Sequence, residues 1–451
     1  MLPAVVDYLS IAAGLAADIE AGRLRPGDRL PPQREFAASR GIAASTAARV
    51  YAELGRRGLV GGEVGRGTFV RAGRPAERHR EQSLAPGESL VNLAYNFPIL
   101  PDQHAALAAS TARVLRPESM AAAQLPAGPA GSAAVRELAA AFAGKAGWRP
   151  GADDVMFTGS GKQAIAAAVA ALVPPGGRLG VEAITYPLAQ RIAARLGVHL
   201  VPIPVDEAGL VPDGIRAAHR RAALHAIYLQ PTLHNPLGMT MPPARRAEIG
   251  ALLAALGICA IEDAVYAFLR DEPAPLTAHA PGGTIYIDSL SKRVAPGLTV
   301  GFAVVPPALA EPVAAAIGSG GWTASGFALA AAACWMADGT ARALTERKRA
   351  DAAARQELAA ARLAGLTVRA DPASYHCWLE LPGQWRADTF VAAAARMGIA
   401  LTPAAAFAVS PGQAPNAVRI ALASPSLPAL AAALGSIAGL ARSAPEDAFA
   451  G

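Results

Sequence analysis

Six short apolar runs, at 154–158, 178–182, 199–205, 226–230, 258–262 and 284–288, are separated by stretches of helical length, and this alternation constrains the chain more than any other feature. Runs that are apolar at consecutive positions suit strands buried on both faces, and a helix between strands returns the chain to the same edge. The pattern therefore predicts an α/β domain with a mostly parallel sheet wrapped by helices. In open sheets of this kind ligands collect at the carboxyl ends of the strands. The chemistry is sought there.

Thr284 to Asp288 runs into Ser289-Leu-Ser-Lys292, which places Lys292 on the loop leaving that strand. Of 41 basic residues, four are lysine (Lys145, Lys162, Lys292 and Lys348) and the other 37 are arginine. Arginine cannot form an imine and lysine can, so lysine at this place points to covalent chemistry with a carbonyl. Taken alone, the loop suits a solvated surface lysine equally well. Val155-Met-Phe-Thr158 runs into Gly159-Ser-Gly-Lys-Gln163 and an alanine-rich helix, so free N–H groups stand at a helix N-terminus, where a phosphate can bind. A nucleotide P-loop is excluded, because Met156 stands for its first glycine and Gln163 for its Ser/Thr. Tyr186 follows the next strand, Asn235 lies in Asn235-Pro-Leu-Gly238, and Asp263 stands three residues before Tyr266. A buried aspartate at a strand end is costly unless it meets a cation, and a protonated pyridine nitrogen is one. Ala417-Val-Arg419-Ile-Ala421 puts an arginine in a strand.

The N-terminal segment is built differently. Val5, Leu9, Ala12, Leu15, Ala16 and Ile19 recur at helical spacing, and Gly22 and Pro26-Gly27 end that helix. Leu30-Pro-Pro-Gln-Arg-Glu-Phe-Ala37 opens a second helix with prolines in its first turn. Gly41 separates it from a third at about 44–57, with Ser45 or Thr46 placed to cap it. Two short helices joined through a glycine are a helix-turn-helix, and 59–70 alternates as two strands around a glycine-rich turn, a wing. Residues 1–75 hold 11 arginines against 7 acids, an excess of basic charge that hints at a nucleic-acid partner.

This segment resembles the GntR-type winged helix-turn-helix. The resemblance implies DNA contacts from Arg34, from Ser45, Thr46 and Arg49 on the recognition helix, and from Arg66, Gly67 and Thr68 in the wing; Arg34 would read a guanine edge. Ala43-Ala44 stands where that family usually has Ser-Arg. The order of phosphate loop, aromatic, Asn-Pro-x-Gly, Asp-x-x-Tyr and Ser-x-x-Lys or Ser-Lys resembles fold-type I pyridoxal phosphate enzymes of the class I aminotransferase group. Joined to the head, it is similar to the MocR family of transcriptional regulators over nearly the whole chain. On that resemblance Lys292 binds the aldehyde of pyridoxal 5'-phosphate and Asp263 holds the pyridinium proton. Asn235 and Tyr266 bond its phenolate oxygen, and Tyr186 stacks on its ring. The amides of Gly161 and Lys162 with the hydroxyls of Ser160, Ser289 and Ser291 hold its phosphate, and Arg419 takes a ligand carboxylate. The chain departs from the pattern in Pro296-Gly-Leu-Thr299, where the family writes arginine last, and at Pro126, where it writes tyrosine.

These readings give a head at 1–71, a linker at 72–90, rich in Pro, Gly and charge, and an effector domain at 91–445. The expected function is regulation of transcription at a double-stranded operator, governed by an amine or amino-acid effector, in a homodimer. A working aminotransferase with an added helix-turn-helix is the alternative. With 53% hydrophobic and 17% charged residues the chain is globular. Cys259, Cys334 and Cys377 lack metal spacing, and no apolar run reaches the ~18 residues of a membrane span, so a cytoplasmic protein is expected.

Overall fold

The computed structural model describes residues 8–24, 28–63, 67–70, 91–410 and 412–449. The expected linker and Arg66 lie outside the described residues. In the head, helices Tyr8–Glu20, Gln33–Arg40 and Ala44–Arg56 enclose a core of Ala12, Leu15, Phe36, Val50 and Leu54. Gly41 closes the second helix at a φ of 61°, a left-handed backbone that suits glycine, and donates its N–H to Ala37 and Ala38. The wing pairs as expected, Val60–Glu63 against Gly67–Val70. A strand missed in the sequence, Arg29–Leu30, pairs with the other side of Gly67–Val70. Two details differ. Pro32 precedes the second helix as its N-cap, and Ala43 is the N-cap of the third with no side-chain cap, leaving Ser45 and Thr46 inside its first turn.

The large sheet has seven strands in the order Val155–Thr158, Gly301–Val304, Thr284–Ser289, Cys259–Asp263, Ala226–Leu229, Arg178–Glu182, His199–Ile203. All neighbours are parallel except at Gly301–Val304, which runs antiparallel to both strands beside it. That strand was not foreseen, because four residues behind a Pro-Gly turn carry too little pattern. The expected run 199–205 ends at Ile203, since Pro204 cannot donate to the ladder, and Val205–Asp206 turns back in a hairpin with Gly209–Leu210. Ser-Leu-Ser-Lys is not open loop either. Ser289 accepts from the Ser291 N–H and starts one helical turn, Leu290–Arg293.

A second, antiparallel sheet, Val368–Ala370, His376–Glu380, Ala417–Ala421 and Thr402–Pro403, has its own core around Cys377, Leu379, Trp385, Phe390 and Ile420. The 23-residue helix Thr340–Arg362 joins it to the large sheet. Its Arg349 donates to the Phe268 carbonyl on one side, while Arg355 and Gln356 donate to the carbonyls of Leu422, Ser374 and His376 on the other. The strand holding Arg419 thereby reaches the carboxyl ends of the parallel strands.

Candidate functional site

Three backbone segments interlock to form a polar cradle. Ser160 caps helix Gly161–Leu172, accepting from the Gln163 N–H. A Cβ on Gly161 would stand 3.1 Å from the Ser289 Cβ, and one on Gly301 only 2.3 Å from the Ser160 carbonyl carbon. No side chain fits at Gly301, so glycine there lets the antiparallel strand pass directly under the helix N-terminus. Ser291 Oγ lies 2.5 Å from Thr299 Oγ1, so Thr299 joins the hydroxyls of this turn. Arg293, beside the lysine, does not turn to the cradle. Its guanidinium is buried between Phe142 and Phe268 and donates twice to Asp288 Oδ2.

Lys292 is half-buried and donates from Nζ to the Asn96 carbonyl at 2.5 Å, with the Phe97 and Tyr266 rings 5.6 and 5.9 Å away. Burial pushes its pKa down to about 7, and the charges of Lys162 and Arg419 push the same way against Asp263. Such an amine is nucleophilic at neutral pH. Asp263 is 3% exposed. Its Oδ2 accepts from Tyr228 Oη at 2.7 Å and Gln230 Nε2 at 2.8 Å, and its Oδ1 from the Val265 N–H at 3.2 Å. Burial raises its pKa, and those three donors oppose the rise. Gln230 also accepts the Asn235 N–H and donates its own N–H to Glu182. Arg419 donates to Asn235 Oδ1 at 3.1 Å and to the Ala94 carbonyl, while its Nε is buried without a hydrogen bond. Asn96, whose carbonyl takes the Lys292 bond, donates from its amide to Tyr266 Oη at 3.4 Å.

Gln230 thus joins Asp263 to Asn235 and Arg419, Asn96 joins Lys292 to Tyr266, the charges of Asp263 and Arg419 act on Lys292, and Ser160, Gly161, Ser289 and Ser291 form the cradle beside them. Tyr186, half-buried, stands before helix Pro187–Arg195, within electrostatic reach of Arg419. Sequence reasoning missed Tyr228, Gln230, Asn96 and Lys348. Tyr228 and Gln230 had a signal, two polar groups two apart in an apolar strand and therefore on one face. Lys348 had its rarity. Fully buried, it donates to the carbonyls of Lys292 at 3.0 Å and Val294 at 2.6 Å, directly behind the reactive turn. Asn96 had none.

In the head, Ala47, Val50 and Leu54 face inward, which leaves Ser45 and Arg49 exposed one turn apart and Thr46 partly so. The Arg49 guanidinium rests 4.0 Å from the Tyr8 ring centroid. Arg34 is exposed in the first turn of its helix. At Gly67, φ is 124° and a Cβ would meet Arg29 Nε at 2.7 Å; Thr68 follows it on the same strand.

Fold and site together define a DNA-reading head fused to an aminotransferase scaffold. Residues 7–70 match the bacterial regulatory proteins of the gntR family, and residues 88–437 match aminotransferase class I and II. The chain belongs to the class I and II aminotransferase family in the MocR-type arrangement, and it is a DNA-binding transcriptional regulator with an aminotransferase-like domain. It is 30% identical to the HTH-type transcriptional regulator YdeF of Bacillus subtilis, over 93% of this chain and 90% of that one. It is 28% identical to the HTH-type pyridoxine biosynthesis transcriptional regulator PdxR of Corynebacterium glutamicum, over 73% and 72%. Among solved structures it is similar in fold to an archaeal alanine:glyoxylate aminotransferase, at a TM-score of 0.71 and 21% identity, covering 78% of this chain and 91% of that one. The α-aminoadipate aminotransferase LysN of Thermus thermophilus aligns at 0.69 and 22%, covering 78% and 92%. Aminotransferases of this class imply dependence on pyridoxal 5'-phosphate. The residues present fit that group: the cradle has no room for a Cβ at Gly301, the buried carboxylate of Asp263 is held by Tyr228, Gln230 and the Val265 N–H, and Arg419 keeps a buried Nε without a hydrogen bond among the described residues. Among the described residues no helix is long and apolar enough to cross a membrane.

Proposed function

We propose that this regulator senses an amine or amino acid through pyridoxal 5'-phosphate held in the aminotransferase-like domain, and passes the event to two DNA-reading heads of a homodimer. The observation that carries the reading is Lys292, an amine with a pKa near 7 within the fields of Asp263 and Arg419, two groups that Gln230 and Asn235 join by hydrogen bonds. When bound, the cofactor supplies an aldehyde that condenses with primary amines and a ring that withdraws electrons. Lys292 supplies the neutral amine that attaches it, and Asp263 holds the ring nitrogen's proton, its charge retained by Tyr228 and Gln230. Asn235 and Tyr266 orient the ring oxygen, Tyr186 covers the ring, and Ser160, Ser289, Ser291 and the Gly161 and Lys162 amides take the phosphate. An effector's carboxylate replaces the Ala94 carbonyl on Arg419.

In this reading the head comprises 1–71, the linker 72–90 and the effector domain 91–445, and the protein works in the cytoplasm. Arg34, Ser45, Thr46, Arg49, Arg66, Gly67 and Thr68 meet the operator. A second copy is supported by Leu115, Leu125 and Phe327, 61, 69 and 43% exposed at or near the ends of two packed helices. By linkage the effector shifts the head arrangement by its difference in affinity for the two states, typically about 1–3 kcal/mol. The intact lysine and carboxylate also favour a second reading, a working aminotransferase. One experiment separates the two. Arg34→Ala is expected to lose specific DNA binding and keep the visible absorbance of Lys292-bound cofactor. Turnover of an amino acid with a 2-oxo acid at about 1 s⁻¹ or faster replaces sensing with catalysis.

A further inference from the structure

The composition writes arginine at nearly every basic place, and the structure explains three of its four lysines in one way. Lys145 donates to the carbonyls of Ala267 and Arg270, Lys292 to that of Asn96, and Lys348 to those of Lys292 and Val294. Each puts a compact terminal amine on backbone oxygen, where a planar guanidinium has less room. Lys162 is different. It is exposed, it is the second residue of helix Gly161–Leu172, and among the described residues it makes no hydrogen bond or ion pair.

The other cations near the cradle are engaged. Arg293 is locked on Asp288, Arg419 is held by Asn235 and Ala94, and the Lys292 amine is the group that attaches the cofactor. The remaining cradle groups, Ser160, Ser289, Ser291, Thr299 and the helix amides, are neutral donors. A phosphate dianion removed from water onto neutral donors alone leaves most of its charge uncompensated. Lys162 directly follows Gly161 at the N-terminus of the helix that Ser160 caps, and its field reaches the site: after burial it is the largest influence holding down the pKa of Lys292.

We propose that the Lys162 side chain is the counter-charge for the cofactor's phosphate, so that this chain selects the phosphorylated cofactor through a lysine at the helix N-terminus and not through Arg293. The inference rests on the cofactor reading above and adds to it a specificity-determining role for this side chain. Lysine suits the place, because a compact ammonium on a flexible stem, exposed at the helix end, can reach an anion there as a point charge.

The test uses the full-length wild type, Lys162→Met and Lys162→Arg, each titrated with pyridoxal 5'-phosphate and, separately, with pyridoxal, reading the visible band of the Lys292-bound carbonyl. Lys162→Met is expected to bind the phosphorylated compound at least about tenfold more weakly and pyridoxal within about twofold of wild type, with Lys162→Arg in between. Between about 50 and 300 mM salt, the wild type should lose affinity for the phosphorylated compound more steeply than Lys162→Met. An equal preference for the phosphorylated compound in wild type and Lys162→Met overturns the proposal and assigns the counter-charge elsewhere, a residue of a second subunit included. Wild type that takes up neither compound, or Lys292→Ala that gives the same band, removes the cofactor reading and this inference with it.

Discussion

The pKa of Lys292 sets a quantitative expectation. Held down to about 7, its amine is neutral in roughly half the molecules at pH 7, whereas a lysine at the ordinary 10.5 is neutral in roughly one molecule in 3,000. The reactive fraction is therefore raised by about three orders of magnitude, which is ample reason for the fold to bury this turn. Competitive labelling of the cofactor-free protein with trace acetic anhydride from pH 5.5 to 10.5, read by mass spectrometry of the Lys292 peptide, yields the midpoint directly. The same peptide in urea serves as its own reference, which removes the effect of restricted access from the midpoint. The expected midpoint is about 7, with two signed displacements. Asp263→Asn removes the negative charge that favours the ammonium and moves the midpoint down. Arg419→Leu removes a positive charge that opposes it and moves the midpoint up. A midpoint at or above about 9 in the folded wild type, or displacements of the opposite sign, refutes the reasoning.

Burial also holds the Lys348 amine down to about 7, so between about pH 7 and 10.5 the unfolded chain binds the proton that the folded chain releases. Stability from this group rises with pH across that window, by up to roughly 4–5 kcal/mol, and Lys348→Met should lose the rise; urea unfolding of both proteins that differs by a constant amount at pH 7, 8.5 and 10 contradicts it. Gly301→Ala drives a methyl into the Ser160 backbone, so it should cost about 3 kcal/mol or more and weaken cofactor uptake, measured by urea midpoint and by the visible band; an unchanged midpoint means the strand does not pass beneath the helix end as described.

What the sequence determined by itself was whatever local pattern encodes. Alternating apolar runs and helical stretches announced the parallel sheet, because burial on both faces demands consecutive apolar residues. The helix-turn-helix and wing were legible through Gly41 and Gly67, where a positive φ restricts residue choice. Lys292 and Asp263 stood out because a strand end gives each a definite place, and chemistry restricts what can stand there. Tertiary structure decided the rest. Gly301–Val304 became a strand only because two neighbours supplied its hydrogen bonds. Arg293 faces Asp288 and not the cradle because the buried carboxylate, one turn back, needs its donors more than water does. Asn96 enters the site from a segment 196 residues from Lys292, and Lys348 from the far side of the reactive turn. Such contacts depend on which distant segments the packed sheets bring together, and no periodicity within either segment records them.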